Sequence, residues 1–150
     1  MASKPVTRDD LVAEARRWLG TPFRWQASVR GVGCDCKGLL AGIARELHMP
    51  EARSLAAMAH SYPHNFNPDE LLTGLRETLR ETDNPKAGDV IAIEIGTVPG
   101  PRHLGILTGD GRMIHCYGNG PSQVISAPVG RHRKVHSFWT WPSLGETDEH

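Results

Sequence analysis

The order of the hydrophobic patterns along the chain constrains the fold most strongly, because helical repeats come first and strand-like segments second. Apolar residues recur at helical spacing in the first half, which predicts helices over 7–20, 36–47, 51–62 and 67–81. Alternating or β-branched segments then follow at 89–95, 103–108, 112–118, 123–128 and 133–141. The stretch TGDG at 108–111 predicts a tight hairpin. This segregation indicates an α+β fold, with N-terminal helices packed on an antiparallel sheet of about five strands.

Length and charge narrow the class of protein. The 150 residues fit one domain, so we expect 1–150 to fold as a unit with about 144–150 as a polar tail. Seventeen basic residues balance seventeen acidic ones, so no net field favours nucleic acid. No apolar run approaches the roughly 18 residues of a membrane-spanning helix, and we expect no membrane insertion. The N-terminus lacks the apolar segment of a secretory signal, which predicts synthesis in the cytoplasm without a signal peptide.

Cys36 stands where the glycine-rich loop in GVGCDCKGLL turns into the second predicted helix. Backbone N–H groups and the dipole at a helix N-terminus stabilise a thiolate, so we expect a lowered pKa and a nucleophilic role for this thiol. A buried structural cysteine is the alternative. Gly38 is expected to let another backbone segment pass closely. The chain has three cysteines, an odd count that argues against a disulfide framework and leaves at least one thiol free.

Two histidines lie on opposite arms of the predicted hairpin. His103 opens one strand and His115 follows twelve residues later on the next. Adjacent strands bring the two imidazoles together, as a general base and the group that orients it in a cysteine–histidine arrangement. Cys116, which follows His115, faces the opposite side of the strand and is expected in the core.

A zinc site and a redox couple are the alternatives for the cysteines. Cys34-x-Cys36 is tighter than the usual spacing of structural zinc ligands, and Cys116 faces away from His115, so zinc is disfavoured. A redox couple is disfavoured because the helix start favours only one of the two thiols.

These segments together resemble the NlpC family of papain-like cysteine peptidases, which cleave murein stem peptides. The family's Asp-Cys-Ser-Gly-Leu motif corresponds to 35–39, its Pro-Gly-Asp strand to 87–90 and its His-hydrophobic-Gly-Ile strand to 103–106. The resemblance runs from about residue 18 to 141 and is greatest to the branch encoded with phage tails and gene-transfer particles. It implies a papain-like NlpC-type fold that needs no metal or organic cofactor. It also implies that Cys36 is the nucleophile, His103 the general base and His115 the orienting residue. Cys34, in the preceding loop, is then a bystander.

The resemblance also implies a cleft for peptidoglycan stem peptides. Phe23 stands where the family commonly has tyrosine, and Gln26 is a hypothetical replacement for the lost donor. Trp25 is expected beside it in the cleft. Asp35 is retained and implies an amine-binding role. Lys37 replaces the usual serine and either meets a substrate carboxylate or is a solvated helix residue.

The function implied is that of a cysteine endopeptidase acting on the bond between D-glutamate and the diamino acid. By the same resemblance, the protein is incorporated in a phage tail or similar particle, has tail proteins as partners and acts in the periplasm or cell wall. The alternative is a non-catalytic or weakly active tail component with the same fold.

Overall fold

The structure, a computed structural model, describes residues 4–60, 68–118, 122–131 and 133–146. Within these ranges the helices are α1 (Arg8–Arg17), α2 (Cys36–Glu46), α3 (Ala52–His60) and α4 (Pro68–Thr78). The strands are β1 (Ser28–Val29), β2 (Gly33–Cys34), β3 (Arg80–Thr82), β4 (Val90–Glu94), β5 (His103–Leu107), β6 (Arg112–Cys116), β7 (Val124–Pro128) and β8 (Lys134–Thr140). A short 3-10 helix, Pro142–Leu144, follows β8. None of the helices in these ranges combines the length and apolar character needed to span a bilayer.

The main sheet has the strand order β3-β8-β4-β5-β6-β7, and every neighbouring pair is antiparallel. This confirms the predicted α+β class, with one more strand than the five segments read from the sequence. The additional strand is β3, in a stretch predicted to continue the fourth helix. Helix α4 instead ends at Thr78, and Arg80 pairs with Thr140 of β8. The local sequence LRE is compatible with a helix, but pairing with a distant strand satisfies its backbone groups.

Helix α1 begins at the predicted cap and packs tightly on α2. The Thr7 side chain accepts from the Asp10 N–H at 3.1 Å, and the Thr7 N–H donates to the Asp10 carboxylate at 2.9 Å. The fully buried Trp18, just after α1, lies against Gly42 of α2, where an added Cβ would stand 2.2 Å from the indole ring. The α1 segment thereby fixes the position of α2 beneath it.

Helix α2 is buried between the sheet and the other helices. All of its residues from Cys36 to Ala44 are buried, and it packs against β5 and β6 as well as α1 and α3. The large core includes one face of the sheet, with Ala92, Leu104 and Ile114 among its members. A smaller apolar cluster of Ile91, Ile93 and Met113 covers the other face. Both faces being covered explains why the central strands are nearly continuous apolar runs.

The predicted hairpin joins β5 and β6. Gly109 and Gly111 have φ values of +89° and +80°, the left-handed conformations that the sequence TGDG predicts. The resulting register pairs Gly105 with His115. Because His103 lies two residues before Gly105, strand alternation places both histidines on the same face.

The end of the described chain is attached to the helical side. The Ser143 N–H and hydroxyl donate to the Glu51 carboxylate at 2.9 and 2.7 Å. Glu146 pairs with Arg8 at 2.6 Å, and Arg8 also bonds the buried Asp89 at 2.8 Å. Residues 144–146 of the expected polar tail are therefore bound to the body of the fold, and 147–150 lie outside the described residues.

Candidate active site

Asp35 determines where α2 begins. It is the N-cap of the helix, and its two carboxylate oxygens accept from the Gly38 N–H at 2.7 Å and from the Gln26 N–H at 2.8 Å. Gln26 has a φ of +60°, so this contact holds the preceding loop in an unusual left-handed conformation. The carboxylate is buried, and it clamps that loop to the helix start. Cys36 consequently occupies the first helical position.

Gly38 provides the close backbone contact that the sequence predicts. A Cβ at this position would lie 1.9 Å from the carbonyl oxygen of Ala27. The Ser28 hydroxyl donates to the Gly38 carbonyl at 2.6 Å. The absence of a side chain therefore allows the loop before β1 to rest directly on the helix that carries Cys36.

The Cys36 thiol is buried at the start of β5. Its sulfur accepts a hydrogen bond from the backbone N–H of Leu104, the residue after His103. Burial, together with the Asp35 carboxylate, raises the pKa of this thiol to about 12, although the Leu104 N–H and the Lys37 ammonium act in the opposite direction. The expectation of a lowered pKa is therefore wrong, because desolvation of the thiolate outweighs its stabilisation at the helix start.

The two histidines form a directly hydrogen-bonded pair. Nε2 of His103 lies 2.7 Å from Nδ1 of His115, and both side chains are buried. Burial lowers the pKa of His103 to about 3 and that of His115 to about 4, and the nearby Arg133 contributes to both shifts. Both imidazoles are accordingly neutral at pH 7.

Hydrogen bonding within the pair is compatible with the tautomers that general-base catalysis requires. When the His103 Nε2–H donates to His115 Nδ1, the Nδ1 of His103 is left with a lone pair that can accept a proton. The proton of His115 then lies on Nε2, which has no hydrogen-bond partner among the described residues. This contact places His115 where it could orient His103, and that role stays a prediction.

Gly105 makes room for this pair. A Cβ on Gly105 would lie 3.3 Å from the Cβ of His115 and 3.3 Å from Cγ2 of Ile91. Any side chain here would push against the strand that carries His115. The glycine between the histidine and the hairpin therefore has a steric role.

The pKa values of Cys36 and His103 favour a reaction in which the thiol loses its proton during attack on the substrate, rather than before the substrate binds. With a raised thiol pKa and lowered imidazole pKa values, the resting pair is neutral rather than a thiolate and an imidazolium. A neutral imidazole can still take the proton from Cys36 as the sulfur approaches a carbonyl carbon. The Gly38 N–H is taken by Asp35, but the N–H groups of the first turn of a helix have no acceptor within the helix, which is the property an oxyanion site uses.

We expect the rate of Cys36 alkylation by iodoacetamide to rise about tenfold per pH unit between about pH 6 and 9, without a plateau. The thiolate is the reacting form, and a pKa of about 12 leaves a fraction that keeps growing across this range. Peptide mapping after short labelling pulses measures the rate at Cys36 alone. A plateau below about pH 7 would reveal a preformed thiolate and contradict the neutral resting pair.

One aromatic ring, Tyr117, contacts His103, and two others contact each other. The Phe23 and Trp25 rings meet edge to face with centroids 5.4 Å apart, and Trp25 is 46% exposed. The Phe23 ring also lies against Gly118, where an added Cβ would be 3.0 Å away. The Tyr117 ring stands 5.1 Å from that of His103. Tyr117 was not among the predicted residues, although strand alternation places it on the face of His115.

Lys37 is buried, with only 2% of its surface exposed. The alternative of a solvated helix residue is therefore wrong. Burial lowers the pKa of its ammonium group, while the neighbouring Cys36, Asp35 and Glu70 favour the charged form. A contact between Lys37 and a substrate carboxylate stays a prediction.

The other two cysteines lie in the core. Cys116 is 1% exposed, which confirms its predicted location, and Cys34 is fully buried. All three thiols are free. Within the described part of the chain, no cluster of three or more His, Cys, Asp or Glu side chains has a metal-binding arrangement.

Solved structures with the same fold include several NlpC/P60 proteins. The NlpC/p60 domain of the peptidoglycan hydrolase SagA matches with a TM-score of 0.58 and 21% identity, over 90% of this chain and 99% of that one. An NlpC/P60 family protein from Bacillus cereus matches with a TM-score of 0.65 and 20% identity, over 92% of this chain and 41% of that one. NlpC2 from Trichomonas vaginalis matches with a TM-score of 0.63 and 20% identity, over 92% of this chain and 49% of that one. This chain thus spans less than half the length of the last two proteins.

These structural matches confirm the NlpC-type fold. A comparison with curated proteins found no significant match. The sequence pattern of the NlpC/P60 family, however, matches residues 20–138, a range that contains Cys36, His103 and His115. The chain therefore belongs to the NlpC/P60 family.

Proposed function

We propose that this protein is a cysteine endopeptidase that hydrolyses the stem peptides of peptidoglycan. The observations that carry the proposal are the buried His103–His115 pair and a helix-start cysteine whose sulfur accepts from the N–H of Leu104, the residue directly after His103. Family membership and the likeness to a domain of a peptidoglycan hydrolase support the substrate class.

The proposed reaction proceeds in two steps through an acyl-enzyme. The Cys36 sulfur attacks the peptide carbonyl while His103 takes the thiol proton, and the oxyanion is held by backbone N–H groups at the start of α2. His103 then gives the proton to the leaving amine. Water, activated by His103, attacks the thioester and releases Cys36 as a thiol. His115 holds His103 in the required tautomer throughout.

The finer parts of the proposal rest on the resemblance to the phage-tail branch. The expected bond joins D-glutamate to the diamino acid, and the cleft residues are Phe23, Trp25, Gln26, Asp35 and Lys37. We further propose that the protein is made in the cytoplasm, incorporated in a phage tail or similar particle and delivered to the periplasm or cell wall.

Digestion of purified Gram-negative sacculi tests the activity. Wild type, Cys36→Ala and Cys34→Ala are incubated with sacculi under reducing conditions, and released muropeptides are identified by mass spectrometry. Cys34→Ala is the matched control, because it removes another buried thiol only two residues from Cys36. We expect new stem-peptide fragments with wild type and Cys34→Ala, and none with Cys36→Ala. The fragment masses identify the bond.

Two results would contradict the proposal. Fragments that persist with Cys36→Ala would rule out Cys36 as the nucleophile. A folded wild type that releases nothing, from sacculi or from isolated stem peptides, would favour the non-catalytic tail component instead.

A further inference from the structure

Cys34 and Cys116 lie in direct contact, although neither has a role in the proposed reaction. The Cys116 Sγ lies 3.4 Å from the Cys34 carbonyl oxygen, to which its thiol donates across a sequence separation of 82 residues. The neighbouring Cys116 side chain raises the pKa of Cys34, and Cys34 in turn lowers the pKa of Cys116. Their exposed fractions are 0% and 1%.

This pair joins the two halves of the active site. Cys34 ends β2, two residues before the nucleophile, and Cys116 ends β6, directly after His115. The Cys34 N–H donates to the Pro22 carbonyl at 3.0 Å, and the segment that contains Pro22 runs beside β7. Strand β7 in turn pairs Val124 with Cys116. A covalent bond between the thiols would therefore link β2, which precedes Cys36, to β6, which carries His115.

Cys36 is directed elsewhere. Its sulfur accepts from the Leu104 N–H of β5, whereas the Cys116 thiol donates to the Cys34 carbonyl. The three cysteines therefore divide into one neighbouring pair, Cys34 and Cys116, and one separate thiol, Cys36, which is the proposed nucleophile.

We propose that Cys34 and Cys116 are a redox modification site, which forms an intramolecular disulfide while Cys36 remains a free thiol. In this step, one thiolate attacks the disulfide of an oxidant such as oxidised glutathione and releases one glutathione thiol. The second thiolate attacks the mixed disulfide and releases the other. The protein loses two hydrogens, and the oxidant gains them. The inference does not depend on the proposed substrate.

The bond is expected to stabilise the fold without blocking the nucleophile. It would close a long loop between β2 and β6, which restricts the unfolded chain, so the Tm should rise by roughly 5–15 °C. Because both thiols are buried, the oxidant reaches them when the site opens or during folding. Refolding in a glutathione redox buffer should therefore allow the disulfide to form more readily than treatment of the folded protein with the oxidant.

Mass spectrometry of the full chain tests the site. Wild type and Cys36→Ala are refolded with oxidised glutathione, alkylated without reduction and digested. We expect both proteins to lose two hydrogen masses and to yield a peptide linking Cys34 to Cys116. Wild type should keep one alkylatable thiol, at Cys36, and both proteins should show the higher Tm until a reductant is added.

Other products would overturn the proposal. These are a link between Cys36 and either other cysteine, stable glutathione adducts, or three unmodified thiols after refolding. Cys116→Ser provides a second check, since it retains Cys34 and Cys36 but must show neither the mass loss nor the gain in Tm. Muropeptide release does not enter into these readouts, so failure here is distinguishable from failure of the proposed function.

Discussion

Replacement of Gly38 by alanine will destabilise the protein by about 3 kcal/mol or more. The added methyl carbon would lie 1.9 Å from the carbonyl oxygen of Ala27, a backbone atom that cannot turn aside. Relief requires the loop to move off the helix, which breaks the Ser28–Gly38 hydrogen bond and the link from Asp35 to the Gln26 N–H. The same movement displaces Cys36, so activity should fall with stability. Urea denaturation followed by circular dichroism measures the effect.

Gly74→Ala is the matched control for this substitution. Gly74 also lies within a helix, α4, but its added methyl group would meet the sulfur of Met58. A thioether side chain can turn away, and alanine favours the helix. We therefore expect the free energy of unfolding to change by no more than about 1 kcal/mol. Equal losses for the two variants, or an unchanged Gly38→Ala protein, would contradict the close contact at the start of α2.

Replacement of His115 by phenylalanine will lower kcat by roughly 10²–10⁴-fold and leave the protein folded. Phenylalanine fills the buried site but cannot accept a hydrogen bond from the Nε2–H of His103, as Nδ1 of His115 can across the 2.7 Å contact. His103 then loses its fixed tautomer and orientation. Because His115 acts through His103, the loss should fall on kcat far more than on KM.

His115→Asn separates this role from packing. An asparagine side-chain oxygen can take the acceptor position of Nδ1, so we expect it to recover a large part of the activity lost in the phenylalanine variant. Steady-state kinetics on a purified stem peptide give the kcat and KM of each variant. An asparagine variant as inactive as the phenylalanine variant would show that hydrogen-bond acceptance is not what His115 contributes.

The features predicted correctly from sequence are those set by local chemistry. The start of α2 at Cys36 follows from the change from a glycine-rich loop to a helical pattern, and the structure adds Asp35 as the cap of that helix. The pairing of His103 with His115 follows from the Gly-Asp-Gly turn, because a tight hairpin determines which residues face each other. Family resemblance then assigned the roles.

Features that depend on distant parts of the chain were predicted poorly. Strand β3 forms because β8 lies beside it, and a helical local pattern does not reveal that partner. The raised thiol pKa of Cys36 and the burial of Lys37 both depend on how completely the fold covers the start of α2. A helix start alone indicates a reactive thiol, but the degree of desolvation is a tertiary property. The contact between Cys34 and Cys116 likewise joins segments far apart in sequence.

Covalent trapping of the acyl-enzyme tests the central claim most directly. Wild type is mixed rapidly with a stem peptide, quenched in acid and analysed by intact mass, followed by peptide mapping. We predict an added mass equal to the acyl fragment, located on Cys36, that appears before steady-state turnover and is absent from Cys36→Ala. Turnover without any adduct, or an adduct on Cys34 or Cys116, would contradict the assignment of Cys36 as the nucleophile.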